Sequence, residues 1–180
     1  DVPKIQDLTK ATQYAQRAAA LSPHSWKAQG QLAQLLEVAG LEAEAESAYL
    51  RTVALSPRDG IVSWRLANFY VRSGELDKVF GPLAKAVAAE PSLLRPAFSL
   101  LIKLETDLAA IDAIWPDDPA SRWFLFGELL RQPGLFAVEP LDTYLQAQWE
   151  HLLALSPAVG DERSAGEPAG TVAKGAPYVA

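Results

Sequence analysis

The sequence predicts an all-α protein in which similar helix pairs follow one another along the chain as an α-solenoid. Three prolines, Pro23, Pro57 and Pro91, lie 34 residues apart and end the similar phrases AAALSP, TVALSP and AVAAEP. Apolar residues between them recur at helical spacing, and no strand pattern is evident. A fixed period of this length indicates helix–turn–helix units, each of which needs a neighbour to bury its apolar face.

Helical spacing predicts a first helix over 8–21 and two complete helix pairs over 24–91. In each pair a glycine, Gly40 or Gly74, ends the first helix, called helix A, because glycine takes the left-handed conformation at a helix end. The closing proline ends the second helix, called helix B. The first helix, 8–21, has the pattern of a helix B without its helix A.

Three small or rigid residues refine the prediction for these pairs. Ala33 and Ala67 leave room for helix A to approach helix B closely. Pro82 falls inside the second helix B, where a proline should kink or delay the helix.

After Pro91 the strict period is lost. Residues 92–118 predict a shortened helix pair, capped at its first helix by Ser92 and at its second by Thr106 or Asp107. The phrase WPDDP at 115–119 then breaks the chain, and an aspartate before Pro119 predicts a helix N-cap with proline at the first helical position.

The repeat pattern returns at 123–130, in the phrase WFLFGELL, which places Trp123 on a core position. Its helix B is predicted from about Leu141 to Leu155, and Pro157 closes it. We therefore predict a helical array over 1–157 and a flexible tail, rich in Pro, Gly and Ala, over 158–180.

Two stretches of the chain resemble the tetratricopeptide repeat, whose pattern is W-x₂-L-G-x₂-Y…A-x₃-F…P. They are LAQLL, GLEAEAESAY and LSP in the first unit and LANFY, GELDKVFGPL and EP in the second. The resemblance covers roughly 8–157 and is degenerate in 92–157. It implies a right-handed α-solenoid of about three to four helix pairs. The LANFY-like phrase and the DDPA-like break are also similar to arrays attached to bacterial envelope and polysaccharide-assembly proteins.

In proteins of that family, helix A of each unit lines a concave groove that binds protein segments. Trp64, Asn68 and Arg72 follow one another at i, i+4 and i+8 and therefore share one helix face. Arg65 lies beside this face, and helix A of the preceding unit presents Lys27, Gln31 and Gln34 in a similar way. The predicted groove residues are therefore Lys27, Gln31, Gln34, Trp64, Arg65, Asn68 and Arg72.

The residue types suit a peptide partner. Asparagine bonds a peptide backbone as donor and acceptor, arginine and lysine suit carboxylates, and tryptophan supplies an apolar anchor. The family's chaperone-binding members clamp two carboxylates with Lys, Asn and Arg, but Gly30 stands where a clamp lysine is expected, so we do not infer chaperone binding. The alternative is a polar face that is merely solvated.

Composition narrows the function further. Sixteen Lys and Arg against 22 Asp and Glu give a net charge of −6, without the basic stripe of a nucleic-acid-binding protein. The absence of cysteine excludes disulfides and thiolate chemistry. His24 and His151 have no metal-ligand spacing, so we predict no catalytic residue, no metal and no cofactor.

No apolar run approaches the roughly 20 residues of a membrane-spanning helix. We therefore expect membrane contact only through a partner or through an anchor outside the sequence. The chain starts at Asp1 and contains no methionine, as it would after removal of a signal peptide or of other upstream sequence. This favours an extracytoplasmic or periplasmic location, with a cytoplasmic one as the alternative.

Three hypotheses for function remain. The first is a non-enzymatic protein-interaction module that holds or scaffolds a partner segment. The second is a structural subunit of a larger complex, docked through its edges and tail. The third is an appendage of an enzyme whose catalytic part lies outside this sequence.

Overall fold

The computed structural model describes residues 2–132, 134 and 138–155, with side chains from 7 onward except between 135 and 140 and at 155. This part of the chain is all-helical, as predicted, with nine α-helices and no strand. The helices are α1 (Val2–Leu21), α2 (Trp26–Val38), α3 (Glu42–Leu55), α4 (Gly60–Ser73), α5 (Phe80–Ala89), α6 (Leu94–Lys103), α7 (Leu108–Ile114), α8 (Pro119–Arg131) and α9 (Val138–Leu155).

Helices that follow one another in the sequence also pack against one another. Helix α2 contacts α1 and α3, α4 contacts α3 and α5, and α8 contacts α9 and α6. One hydrophobic core runs through this series from Ala33 on α2 to Leu141 on α9. Each helix from α2 to α9 thus contributes buried residues to one continuous core, as expected of a repeat array.

The predictions for the two complete helix pairs are confirmed. Ala33 and Ala67 are fully buried where helix A meets helix B. Gly40 and Gly74 follow α2 and α4 with φ values of 74° and 77°, in the left-handed region that favours glycine. Each glycine therefore turns the chain so that helix B can fold back on helix A.

Helix α5 begins late, as Pro82 predicts. A short 3₁₀ helix, Leu76–Lys78, precedes it, and α5 starts at Phe80, so that Pro82 lies in its first turn. Proline is tolerated there because amides of the first turn have no partner within the helix.

In the second half of the chain, two of the predicted helix N-caps are present and one is not. Asp107 accepts a hydrogen bond from the Ala110 amide at 2.7 Å and caps α7. Asp118 accepts one from the Ser121 amide at 3.0 Å and caps α8. Ser92 does not cap α6, because it lies inside a 3₁₀ helix, Pro91–Leu93, that Glu90 caps.

Trp123 is not a core residue, and this prediction is wrong. The inward face of α8 carries Leu125 and Leu129, and a residue two positions from Leu125 points to the opposite side of a helix. Trp123 is accordingly 43% exposed. Trp115 fills the core instead, and its indole Nε1 donates a hydrogen bond to the Ser121 carbonyl at 2.8 Å.

Two helices are longer than predicted, since α1 begins at Val2 and α9 at Val138. Pro157 and the predicted tail at 158–180 lie outside the described residues, so the boundary at 157 stays a prediction. Within the described part of the chain, no helix has both the length and the apolar character needed to cross a bilayer.

Replacement of Gly74 tests the role of the left-handed turn. We expect Gly74→Ala to lower the free energy of unfolding by about 1 kcal/mol, because a Cβ disfavours positive φ. The matched control is Gly127→Ala within α8, where an added Cβ meets no atom within 4 Å. It should raise stability by up to about 1 kcal/mol in the same urea titration. Equal effects of the two substitutions would contradict the assignment.

Candidate functional site

An open hollow of about 740 Å³ lies between α2 and α4. It contains five of the seven predicted groove residues: Gln34, Trp64, Arg65, Asn68 and Arg72. Three residues that were not predicted complete its lining, Glu37, Val38 and Tyr49. The structure thus brings most of the predicted site together on one surface.

The remaining two predicted residues lie outside this hollow. Gln31 lines a second hollow, of about 620 Å³, between α1 and α2, which shares Gln34 and Val38 with the first. Lys27 lines neither, and its ammonium group lies 5.5 Å from the centre of the Trp26 ring, within range of a cation–π contact.

The three additional residues follow from the same helix geometry. Val38 continues the stripe of Gln31 and Gln34 by one more turn of α2. Glu37 lies beside it, at the end of the helix. Extending the stripe to the glycine that ends helix A would therefore have found both. Tyr49 could not be predicted in this way, because it lies on α3 and only the packing of α3 brings it to the hollow.

Arg72 is held by an ion pair across the two helix pairs. Its guanidinium bonds both carboxylate oxygens of Glu37, at 2.5 and 3.1 Å, and the Tyr49 hydroxyl donates to Glu37 at 2.8 Å. Partial burial acts to raise the pKa of Glu37, but the hydrogen bonds from Arg72 and Tyr49 outweigh it and the pKa is lowered. Burial first, and then the bond to Glu37, raises the pKa of Tyr49.

Asn68 also uses part of its hydrogen-bonding capacity within the protein. Its Nδ2 donates to the Trp64 carbonyl at 2.8 Å, one turn earlier on α4. The Oδ1 atom keeps its acceptor capacity, which suits a backbone N–H of an extended segment. A partner would thus meet the Oδ1 acceptor of Asn68 together with the second N–H of its Nδ2.

Besides the amides of Gln34 and Asn68, the groups that remain available in the hollow are apolar or cationic. Val38 is 70% exposed, and Trp64 is half-buried against the core. Arg65 is exposed, and no ion pair engages it within the part of the chain that the structure describes. An apolar strip therefore lies beside an arginine that has no carboxylate.

A second ion pair joins the same two helix pairs at Glu46, away from the hollow. Glu46 accepts hydrogen bonds from Lys78 at 2.9 Å and from the Tyr70 hydroxyl at 3.0 Å. The bonds from Lys78 and Tyr70 lower the pKa of Glu46. Burial, together with the bond to Glu46, raises the pKa of Tyr70 to about 12.

The two histidines lie apart from the hollow. His24 is exposed in the turn before α2, and the Nε2 atom of His151 lies 2.9 Å from an Asp117 oxygen. The bond to His151 is the main cause that lowers the pKa of Asp117. Among the described residues, no group of three His, Cys, Asp or Glu side chains could hold a metal ion.

Comparison with known proteins adds little to these observations. No family model matches the chain, and no curated protein matches it in sequence. One solved structure that it resembles is the MamA RS-1 ArsTM double mutant, at 15% identity. The match covers 83% of this chain and 85% of that chain, with a TM-score of 0.46. The all-helical, repeat-like character of the fold therefore rests on the packing of successive helices and on the glycines that follow α2 and α4.

The two ion pairs predict an acid-sensitive joint between the helix pairs. A carboxylate whose folded-state pKa lies below its ordinary value of 4.5 contributes stability above that pH, and loses it as the pH falls through the folded-state pKa. We expect the variant Glu37→Gln, Glu46→Gln to be less stable at pH 7 by about 1 kcal/mol, since both pairs are partly screened by water.

Urea unfolding at pH 7 and at pH 3 checks this expectation. The difference between wild type and variant should be smaller at pH 3, because the stability that a lowered carboxylate pKa contributes is lost progressively as the pH falls below the ordinary value of 4.5. A difference that stays constant between the two pH values would show that these carboxylates act through packing alone.

Proposed function

We propose that this chain is a non-enzymatic protein-interaction module. In this proposal it is a right-handed α-solenoid of helix pairs, and the hollow between α2 and α4 holds an extended segment of a partner protein. The observation that carries the proposal is that five residues, chosen from the sequence for one face, line a single hollow. Binding surfaces typically combine an apolar anchor, here Trp64 with Val38, with polar groups that fix the orientation of the partner.

The available groups favour a segment with an apolar side chain next to an acidic one. Trp64 and Val38 form the apolar strip, and tryptophan is a frequent anchor in interfaces. The Arg65 guanidinium can form a bidentate ion pair with a carboxylate of the partner. Between Asp7 and Glu37 the sequence contains no carboxylate that would repel such a segment.

Arg72 belongs to the wall of the hollow in this proposal and is not a ligand group. Its guanidinium is engaged by Glu37, and breaking that pair would leave a partly buried carboxylate beside Tyr49. A partner carboxylate would have to compete with Glu37 at this position. Arg65 is therefore the better candidate for recognition.

The polar groups of the hollow support a binding role without catalysis. Its described lining contains arginine, asparagine and glutamine, and its carboxylate, Glu37, already accepts bonds from Arg72 and Tyr49. General acid–base catalysis needs a group that is free to exchange a proton with a substrate. We therefore propose that the chain binds its partner and does not transform it.

A peptide library tests the proposal. Immobilised 12-residue peptides that vary in apolar and acidic positions would be probed with the purified chain. We expect the bound peptides to share an apolar residue close to Asp or Glu, because Trp64 and Arg65 adjoin. Arg65→Glu should weaken the bound peptides by about tenfold or more, since one charged contact is replaced by repulsion.

Two variants sharpen the test. Asn68→Ala removes the side-chain acceptor for a backbone N–H of the peptide. It should therefore weaken the binding of every peptide to a similar degree, whatever the peptide's side chains. Arg58→Glu makes the same charge change as Arg65→Glu at an exposed residue outside the hollow, and should leave binding unchanged. If Arg65→Glu and Arg58→Glu weaken binding equally, the hollow is not the peptide site.

A further inference from the structure

Both ends of the helix series expose an apolar face. The α1 face consists of Lys10, Tyr14, Arg17 and Leu21 together with the alanines at 11, 15 and 18, and borders the second hollow. The aromatic face, on α8 and α9, consists of Trp123, Phe126, Leu130, Trp149 and Leu153.

The α1 face has the composition of a packed surface. Moving along the chain by one repeat of 34 residues takes Ala11 to Ala45 and Ala18 to Thr52, and both later residues are buried. In α3 that side is covered by α2, whereas on α1 it borders an open hollow of about 620 Å³. Small residues at this spacing permit close approach of another helix.

The aromatic face carries large side chains, whereas the α1 face borders a hollow. The ring of Trp123 lies 5.7 Å from that of Trp149 and 5.8 Å from that of Phe126, edge to face in both cases. Leu130 and Leu153 beside them are 54% and 56% exposed. A contiguous apolar patch with aromatic rings marks an interaction site far more often than scattered apolar residues do.

The two faces also carry opposite charge. Between Asp7 and Glu37 the sequence has three basic residues and no carboxylate. From 105 to 155 it has nine carboxylates and two arginines. Both of those arginines, Arg122 and Arg131, already pair with carboxylates of the same region. The net charge of these two ranges is therefore positive at the start of the series and negative at its end.

The exposed stripes of α1 and α9 have the same spacing and are complementary at three of their four positions. On α1, Lys10 is followed at 4, 7 and 11 residues by Tyr14, Arg17 and Leu21. On α9, Asp142 is followed at the same spacing by Gln146, Trp149 and Leu153. Two parallel helices in this register would place Asp142 opposite Lys10, Trp149 opposite Arg17 and leucine opposite leucine. These are an ion pair, a cation–π contact and an apolar contact.

We propose that the aromatic face of one molecule packs on the α1 face of a second copy, head to tail. The occupant is a second copy because the same chain carries both halves of the match in shape, charge and spacing. Pairing of two α1 faces or of two aromatic faces would bring like charges together, which opposes association. A head-to-tail contact leaves one free face at each end, so the assembly grows with concentration.

Sedimentation velocity of the purified chain, from micromolar to near-millimolar concentration, tests the proposal. We expect the average mass to rise past that of a dimer as concentration increases, and to fall when salt screens the charges. A chain that stays monomeric throughout this range at low salt would overturn the proposal. So would assembly that stops at a dimer.

Two blocked variants identify which faces meet. Tyr14→Glu with Arg17→Glu blocks the α1 face, and Leu130→Glu with Leu153→Glu blocks the aromatic face. All four side chains are exposed, so both variants should keep the helical circular dichroism spectrum of the wild type. Each variant alone should be monomeric, because a head-to-tail contact needs both faces.

Mixing the two variants gives the decisive result. The free aromatic face of the first variant should bind the free α1 face of the second, and the mixture should form a dimer that cannot grow. Dimers of either variant alone, or a mixture that stays monomeric, would overturn the proposal. Leu50→Glu on α3, an exposed leucine on neither face, is the matched control and should assemble like the wild type.

Discussion

The structure depends on one constraint: a single helix pair cannot bury its own apolar face. Residues of successive helix pairs, among them Ala33 and Ala67, are buried in one core that continues through the series to Leu141. Burial of this kind supplies most of the favourable free energy of folding. Every helix therefore needs a partner on each side, and whatever lies at the two ends of the series must be covered by something else or face water.

Ion pairs between helix pairs act at the edges of this core. Glu37 with Arg72, and Glu46 with Lys78, each join a side chain of the first pair to one of the second, and each carboxylate also accepts a bond from a tyrosine. Partly exposed ion pairs add little stability. Their larger effect is to fix how the two pairs sit together, and thereby the width of the hollow that Glu37 and Arg72 border. The joint between repeats and the proposed binding surface thus share residues.

The proposed functions use neighbouring parts of the molecule, since the hollow beside the α1 face shares Gln34 and Val38 with the hollow between α2 and α4. The hollow between α2 and α4 lies within the regular repeats, where Trp64 and Arg65 are offered to a partner segment. The α1 face and the aromatic face lie where the repeat pattern starts and where it degenerates. A chain that assembles head to tail would present its hollows in series, so that several weak peptide contacts could act together.

The sequence by itself determined the all-helical class, the 34-residue helix pairs, the turns at Gly40 and Gly74 and most of the lining of one hollow. Local rules decide these features, since glycine geometry and helical spacing act within a few residues. Only the tertiary structure showed that Glu37 accepts hydrogen bonds from both Arg72 and Tyr49, and that Trp123 is exposed whereas Trp115 is buried. Those outcomes depend on how each helix is rotated against neighbours distant in sequence, and a degenerate repeat no longer encodes that rotation in its spacing.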